Sequence, residues 1–263
     1  MSSPAVKLKK YPLRLKQIVL FLTFALALSC GRSWQVSTAS GKQIPVTASS
    51  GSEAKFEAFV LPYRQAIDRD MNKVLTYNPV TLDKSQGAWQ TAIGNVMADA
   101  TLEKANFVLH KRNKPAADFA MLNFGGIRSV IPAGNVTVRT AFEVMPFENS
   151  LYVVELQADQ VKELIRYIIA EKKAHPVSGL TFMIDKDNNP QNIYIAGKPF
   201  WASATYRVVT SDYLVQGGDR MDFFTKGKSY EDLDYKLRNV LIDYFADRDT
   251  LRADLKPRIV TTP

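Results

Sequence analysis

Apolar residues recur along this chain at two different periods, and the switches between them outline the elements. Phe56, Phe59, Val60, Tyr63, Ile67, Met71 and Val74 follow at helical steps, which predicts a helix over 54–74. Ile93 to Phe107, containing GNVMADATLEKAN, is rich in good helix formers and predicts a second. Val161, Leu164, Ile165 and Ile168 give an amphipathic helix from Asp159 to Lys173, and Leu233 to Phe245 reads as a late one. Strand signals lie between them. Leu151 to Leu156 alternates, and Phe119 to Leu122 is a short apolar run entering a turn at Asn123 and Gly125-Gly126. Leu180 to Ile184 and Ile193 to Ile195 flank a turn from Asp185 to Pro190, and Tyr206 to Leu214 is closed by Gly217-Gly218. No repeat of fixed period is present. The alternation predicts an α/β or α+β domain.

The N-terminal part follows neither period. Ile18 to Leu28, IVLFLTFALAL, is an uncharged apolar run directly behind Lys7, Lys9, Lys10, Arg14 and Lys16. As a helix it spans about 16 Å, against a hydrocarbon core about 30 Å thick. A basic segment followed by a short apolar one predicts a secretory signal. The run ends in Ala27-Leu28-Ser29-Cys30, which resembles the lipobox of bacterial lipoproteins, with Ala27 where Leu is usual. That resemblance implies cleavage before Cys30 and lipidation of its thiol and new amino group; otherwise Cys30 is a lone unmodified thiol. Gly31 to Ser52, rich in Ser, Thr, Gly and Ala, reads as a flexible tether. The expected organisation is therefore a signal over 1–29, a tether over 30–52 carrying the lipidated Cys30, and a folded domain over 53–263.

Composition narrows the chemistry. At 263 residues the chain accommodates one domain of about 200 residues beyond the tether. One Cys excludes an internal disulfide and a Cys-based zinc site, and two His, His110 and His175, are too few for a His-rich dimetal centre. The formal charge of +8 suggests nucleic acid at first sight. Five basic residues and no acid lie in the first 29 positions, however, and the remaining 29 basic residues face 26 acidic ones. With no long basic run in the domain, a nucleic-acid polymer is not an expected partner.

Four segments carry candidate chemistry: Gly94-Asn95-Val96-Met97-Ala98-Asp99-Ala100, Asn123-Phe124-Gly125-Gly126-Ile127-Arg128, Pro146-Phe147-Glu148-Asn149, and Ser211-Asp212-Tyr213-Leu214 with Gly217-Gly218-Asp219. Gly125-Gly126 offers positive φ and close backbone approach, with N–H groups able to face an anion. Arg128 presents a planar fork of donors suited to a phosphate or ribose oxygen, and Asn123 both a donor and an acceptor. From the residues alone, a tight turn with a surface Arg, two core aromatics and a solvated Asp account for the same letters.

In order and spacing the four segments resemble the C-terminal, substrate-binding domain of the 5′-nucleotidase family, over roughly residues 53–263. Val177-Ser178-Gly179-Leu180 and Ile195-Ala196-Gly197-Lys198-Pro199 fit it as well. The resemblance implies mixed sheets layered with helices. It implies that Phe147 and Tyr213, the latter where Phe is usual, sandwich a nucleobase, and that Asp219 binds ribose hydroxyls. Asn123, Gly125, Gly126, Arg128 and Gly218 complete the implied substrate-binding set. Two positions depart from the pattern. Arg220 stands where Gly is usual, and Ser85 to Gln90 lacks the substrate-facing Arg expected before Gly94.

The family hydrolyses nucleotides with a metallophosphatase domain whose two metals polarise the phosphoryl group and activate water. Its Asp-x-His, Gly-Asn-His and Gly-His-x-His settings do not occur here. The resemblance thus implies no catalytic residue, metal ligand or cofactor in this chain, and a divalent metal pair only in a separate metallophosphatase chain. The expected function is that of a lipid-anchored, cell-envelope substrate-binding subunit in nucleotide catabolism, exported across the inner membrane. The alternatives are a non-catalytic nucleoside- or nucleotide-binding lipoprotein and a structural envelope lipoprotein.

Overall fold

The computed structural model describes residues 12–28, 38–47, 50, 51 and 53–262. Ser29 and Cys30 lie outside these, so the expectation of a lipidated Cys30 falls outside the described residues. The chain divides into two units, Met1–Ala54 and Lys55–Pro263. In the first, helix α1 (Leu13–Leu28) begins before the apolar run, and 38–47 has no regular structure. Among the described residues no helix is long and apolar enough to cross a membrane.

The second unit is a mixed α/β structure. It runs α2 (Ala54–Met71), β1 (Val74–Asn78), α3 (Ala92–Lys111), β2 (Phe119–Met121), β3 (Gly134–Thr137), α4 (Val138–Val144), β4 (Ser150–Gln157), α5 (Ala158–Glu171), β5 (Val177–Ser178), β6 (Leu180–Ile184) and β7 (Pro190–Ile195). It continues through β8 (Lys198–Pro199), β9 (Thr205–Ser211), α6 (Asp212–Val215), β10 (Tyr230–Lys236), α7 (Leu237–Ala246) and β11 (Ile259–Thr261). The central sheet has the order β10-β4-β9-β2-β5, and a four-stranded sheet the order β11-β6-β7-β8. Pairing is antiparallel except for β2 with β9 and β11 with β6.

The central sheet is buried on both faces, which its alternation explains. Leu151 and Val153 on β4, Ala120 on β2 and Val209 on β9 join α3, α4 and α7 in one core. Val154, Leu156, Phe119, Met121 and Val208 point the other way and pack with α5 and the four-stranded sheet. Helix α5 buries Val161, Leu164, Ile165 and Ile168 and starts in a capping box, with Gln160 Oε1 accepting the Gln157 N–H at 3.0 Å.

Three expectations are corrected. The segment 233–245 is not one helix: Leu233 lies on β10, and α7 starts at Leu237. Strand β9 stops at Ser211, whose hydroxyl accepts the Leu214 N–H and caps α6, so Tyr213 is helical. The first helix ends at Met71, and Val74 opens β1 instead.

Candidate functional site

The chain turns needed for a site cluster at the ends of β2, β4 and β9. After β2, Phe124–Gly126 forms a 3-10 turn. Neither Gly125 nor Gly126 has positive φ. A Cβ on Gly126 would lie 2.9 Å from Asn123 Oδ1, so any side chain there would displace the Asn123 amide. Nor does the turn present a row of N–H groups to an anion. Those of Phe124, Gly126, Ile127 and Arg128 donate to His175 Nδ1, Asn123 O, Phe124 O and Val144 O. What the turn presents instead is side chains.

Asn123, Gly125, Gly126, Arg128, Phe147, Tyr213 and Asp219 line one cavity of about 370 Å³, together with Asn149. Gly218 is not in its wall. It lies against the Tyr213 ring, and a Cβ there would come within 2.5 Å of two ring carbons. Phe147 and Tyr213 are 41% and 44% exposed, so neither is a core aromatic. The Arg128 guanidinium sits 5.8 Å from the Phe147 ring centre.

Asp219 is the hub. Its carboxylate accepts from Asn123 Nδ2 at 2.7 Å and from the Tyr213 hydroxyl at 2.8 Å. Its carbonyl accepts from the Tyr167 hydroxyl at 2.8 Å. The bond to Asp219 raises the Tyr213 pKa, with burial adding to it. Asp219 and Arg220 have φ of 54° and 61°. Two successive non-glycine residues are thus held left-handed, each costing about 1–2 kcal/mol.

Residues remote in sequence hold these groups. The loop 146–149 is fastened by the end of β10 and the start of α7: Arg238 pairs with Glu148, and Lys236 Nζ donates to Glu148 O at 2.8 Å and Ser150 Oγ at 2.9 Å. The Arg238 bond keeps the Glu148 carboxyl below its usual range. His175, a loop residue by sequence, is only 2% exposed. Burial lowers its pKa to about 4. With Nδ1 accepting from Phe124, its proton is on Nε2, which has no partner among the described residues. Lys84 stands one residue before Ser85 to Gln90, the segment that lacks a cation. Its ammonium donates to Ile127 O at 2.7 Å and lies 4.4 Å from the Phe124 ring centre. Burial, then the Arg128 charge, lowers its pKa.

The segment 94–100 is elsewhere. Its residues lie on α3, where Asn95 Nδ2 donates to Asp254 O and Asp99 accepts from Arg258 and Ser178. Among the described residues no group of three or more His, Cys, Asp and Glu is placed to hold a metal ion.

Comparison with known proteins agrees with this architecture. Residues 74–226 match the model of the 5′-nucleotidase, C-terminal domain. The chain belongs to that family. It is similar to the trifunctional nucleotide phosphoesterase protein YfkN of Bacillus subtilis (strain 168), with 30% identity over 190 residues, 66% of this chain and 13% of that protein. It is 29% identical over 159 residues to a 5′-nucleotidase of Vibrio cholerae, covering 59% of this chain and 27% of the other. In fold it is similar to the 5′-nucleotidase precursor of Thermus thermophilus, with a TM-score of 0.65 at 24% identity over 82% of this chain and 45% of that one. The chain spans less than half the length of these relatives.

Proposed function

We propose that the domain binds a nucleoside or nucleoside phosphate in the cavity at the ends of β2, β4 and β9. The base stacks on Phe147 and Tyr213, the ribose hydroxyls meet Asp219 and Asn123, and Arg128 faces a phosphate. One observation carries this reading: two half-exposed rings, a carboxylate, an amide and a guanidinium converge on one cavity. Stacking on an aromatic ring contributes roughly 1–3 kcal/mol per base and tolerates different bases. Hydrolysis, on this reading, comes from a separate metallophosphatase chain carrying a divalent metal pair. Export and lipidation at Cys30 hold the domain in the cell envelope.

Calorimetry with adenosine and adenosine 5′-monophosphate tests the site. Binding that Phe147→Ala and Tyr213→Ala each weaken supports it, and no binding of any nucleoside favours a structural envelope role. Nucleotidase activity that rises on mixing with a candidate metallophosphatase supports the divided enzyme, and binding without any gain favours a stand-alone binding protein. Membrane release of the Cys30→Ala protein checks the anchor.

A further inference from the structure

Helix α2 buries none of its side chains. Only its C-terminal end is seen to be fastened: Arg139 on α4 donates to Asp68 at 3.0 Å and to Asn72 at 3.4 Å. Pro62 inside the helix removes a backbone donor. A helix of 18 residues so interrupted is marginal by propensity alone and draws its stability from packing an apolar face. Such a face is present. Phe56, Val60, Tyr63 and Ile67 alternate steps of four and three, the a and d positions of a heptad pattern. Phe59 widens the stripe, its ring centre 5.8 Å from that of Tyr63. Phe56 and Phe59 are 68% exposed, Tyr63 60% and Ile67 56%. Asp68 and Asn72 lie round the helix from these residues, so the contact with Arg139 leaves the stripe free. Aromatic side chains present about 150–250 Å² each, so two such stripes bury roughly 1,000 Å² on pairing, the size at which a specific interface begins.

The charges beside the stripe select its partner. Glu57 and Arg64 lie on one flank, where they pair at 3.3 Å while half exposed. If two copies of α2 ran parallel, Phe59 of each would flank Arg64 of the other. If they run antiparallel, Phe56 packs on Ile67, Val60 packs on Tyr63, and Glu57 of each copy meets Arg64 of the other. A lipid surface is a poorer match. Helices that lie on one are rich in Lys and Arg, whereas Lys55, Arg64 and Arg69 are offset here by Glu57, Asp68 and Asp70. We propose that α2 docks antiparallel on α2 of a second copy of this chain, joining two domains through a two-helix coil.

Cross-linking with a short bis-maleimide tests this on the full chain in a Cys30→Ala background. Phe56→Cys mixed with Ile67→Cys should give a covalent dimer. Neither alone should do so, because like positions then stand about 16 Å apart along the helix. Glu57→Arg placed in both chains should lower the yield about tenfold, since two attractions become two repulsions. Glu57→Arg in one chain with Arg64→Glu in the other should restore it, a rescue that misfolding of either cannot produce. A Phe56→Cys adduct with itself, or a yield indifferent to these charges, overturns the proposal. So does a chain that gives no adduct in any combination. If phosphatidylglycerol vesicles then shield Phe56→Cys from maleimide, the stripe belongs to lipid instead.

Discussion

The segments Gly94–Ala100 and Gly217–Arg220 are both rich in small and polar residues, and their surroundings are opposite. On α3, Gly94, Asn95, Val96, Met97, Ala98 and Ala100 are buried. Asn95 donates to Asp254 O at 2.6 Å, and Asp99 accepts from Ser178 at 2.6 Å and from Arg258 at 2.7 Å. These polar groups fasten the 254–258 segment to the core. At 217–220 no residue is buried, the backbone is left-handed at Gly217, Asp219 and Arg220, and the Arg220 guanidinium is unpaired among the described residues. The difference teaches how to sort conspicuous motifs. One whose polar atoms all find partners inside the protein is architecture, and one that leaves donors and charge over at a cavity is a place for a ligand.

Asp99→Ala should put the largest strain on this contrast. It leaves the Arg258 side chain, 8% exposed, without its carboxylate, and should destabilise the domain by about 3 kcal/mol in urea unfolding. Nucleoside affinity of the folded protein should not change; a specific loss of affinity would show that α3 belongs to the site. His175 is a test between the two regions, since it is buried like α3 yet holds the Phe124 turn. Its folded pKa of about 4 lies below the ordinary 6.5. Below pH 6.5 the unfolded chain therefore takes up the proton first. This contribution to stability is full above pH 6.5 and falls by up to about 3 kcal/mol as pH drops toward 4. Unfolding of wild type and His175→Gln across that window should give a steeper pH dependence for wild type; parallel curves would sink the prediction.

Smaller effects lie in the pocket. Phe147→Ala should weaken nucleoside binding by about 1–3 kcal/mol while changing stability by no more than about 0.5 kcal/mol. A fall in stability as large as that of Asp99→Ala would mark the ring as packing. Tyr213→Phe keeps the ring and removes the bond to Asp219, and should cost about 1 kcal/mol or less in thermal unfolding.

How much was legible follows the range of the interactions. Helix α5 could be read because Val161, Leu164, Ile165 and Ile168 record its buried face at helical spacing. The same period in α2 marked a helix but not its environment, for Phe56, Phe59 and Tyr63 are exposed. Leu233 and Leu237 stand four apart and imitate a helix. Leu233 reaches the core from a strand pairing with β4, and the charged Glu231, Asp232 and Asp234 around it hide that. In the site, the aromatic and acidic residues stood in motifs. Lys84, His175 and Arg238 did not, because they act across 40 to 90 residues of chain on the turn or loop they hold.

The missing Cβ of Gly218 has a wider consequence. The Tyr213 ring lies against that backbone and its hydroxyl is tied to Asp219. A wall pinned along one face and at its tip is held from swinging out or turning edge-on, so it meets whatever enters with its orientation already set. On the nucleoside reading, a flat heterocycle without a sugar stacks on the Tyr213 ring as a base does, with no ordering of that ring left to oppose it.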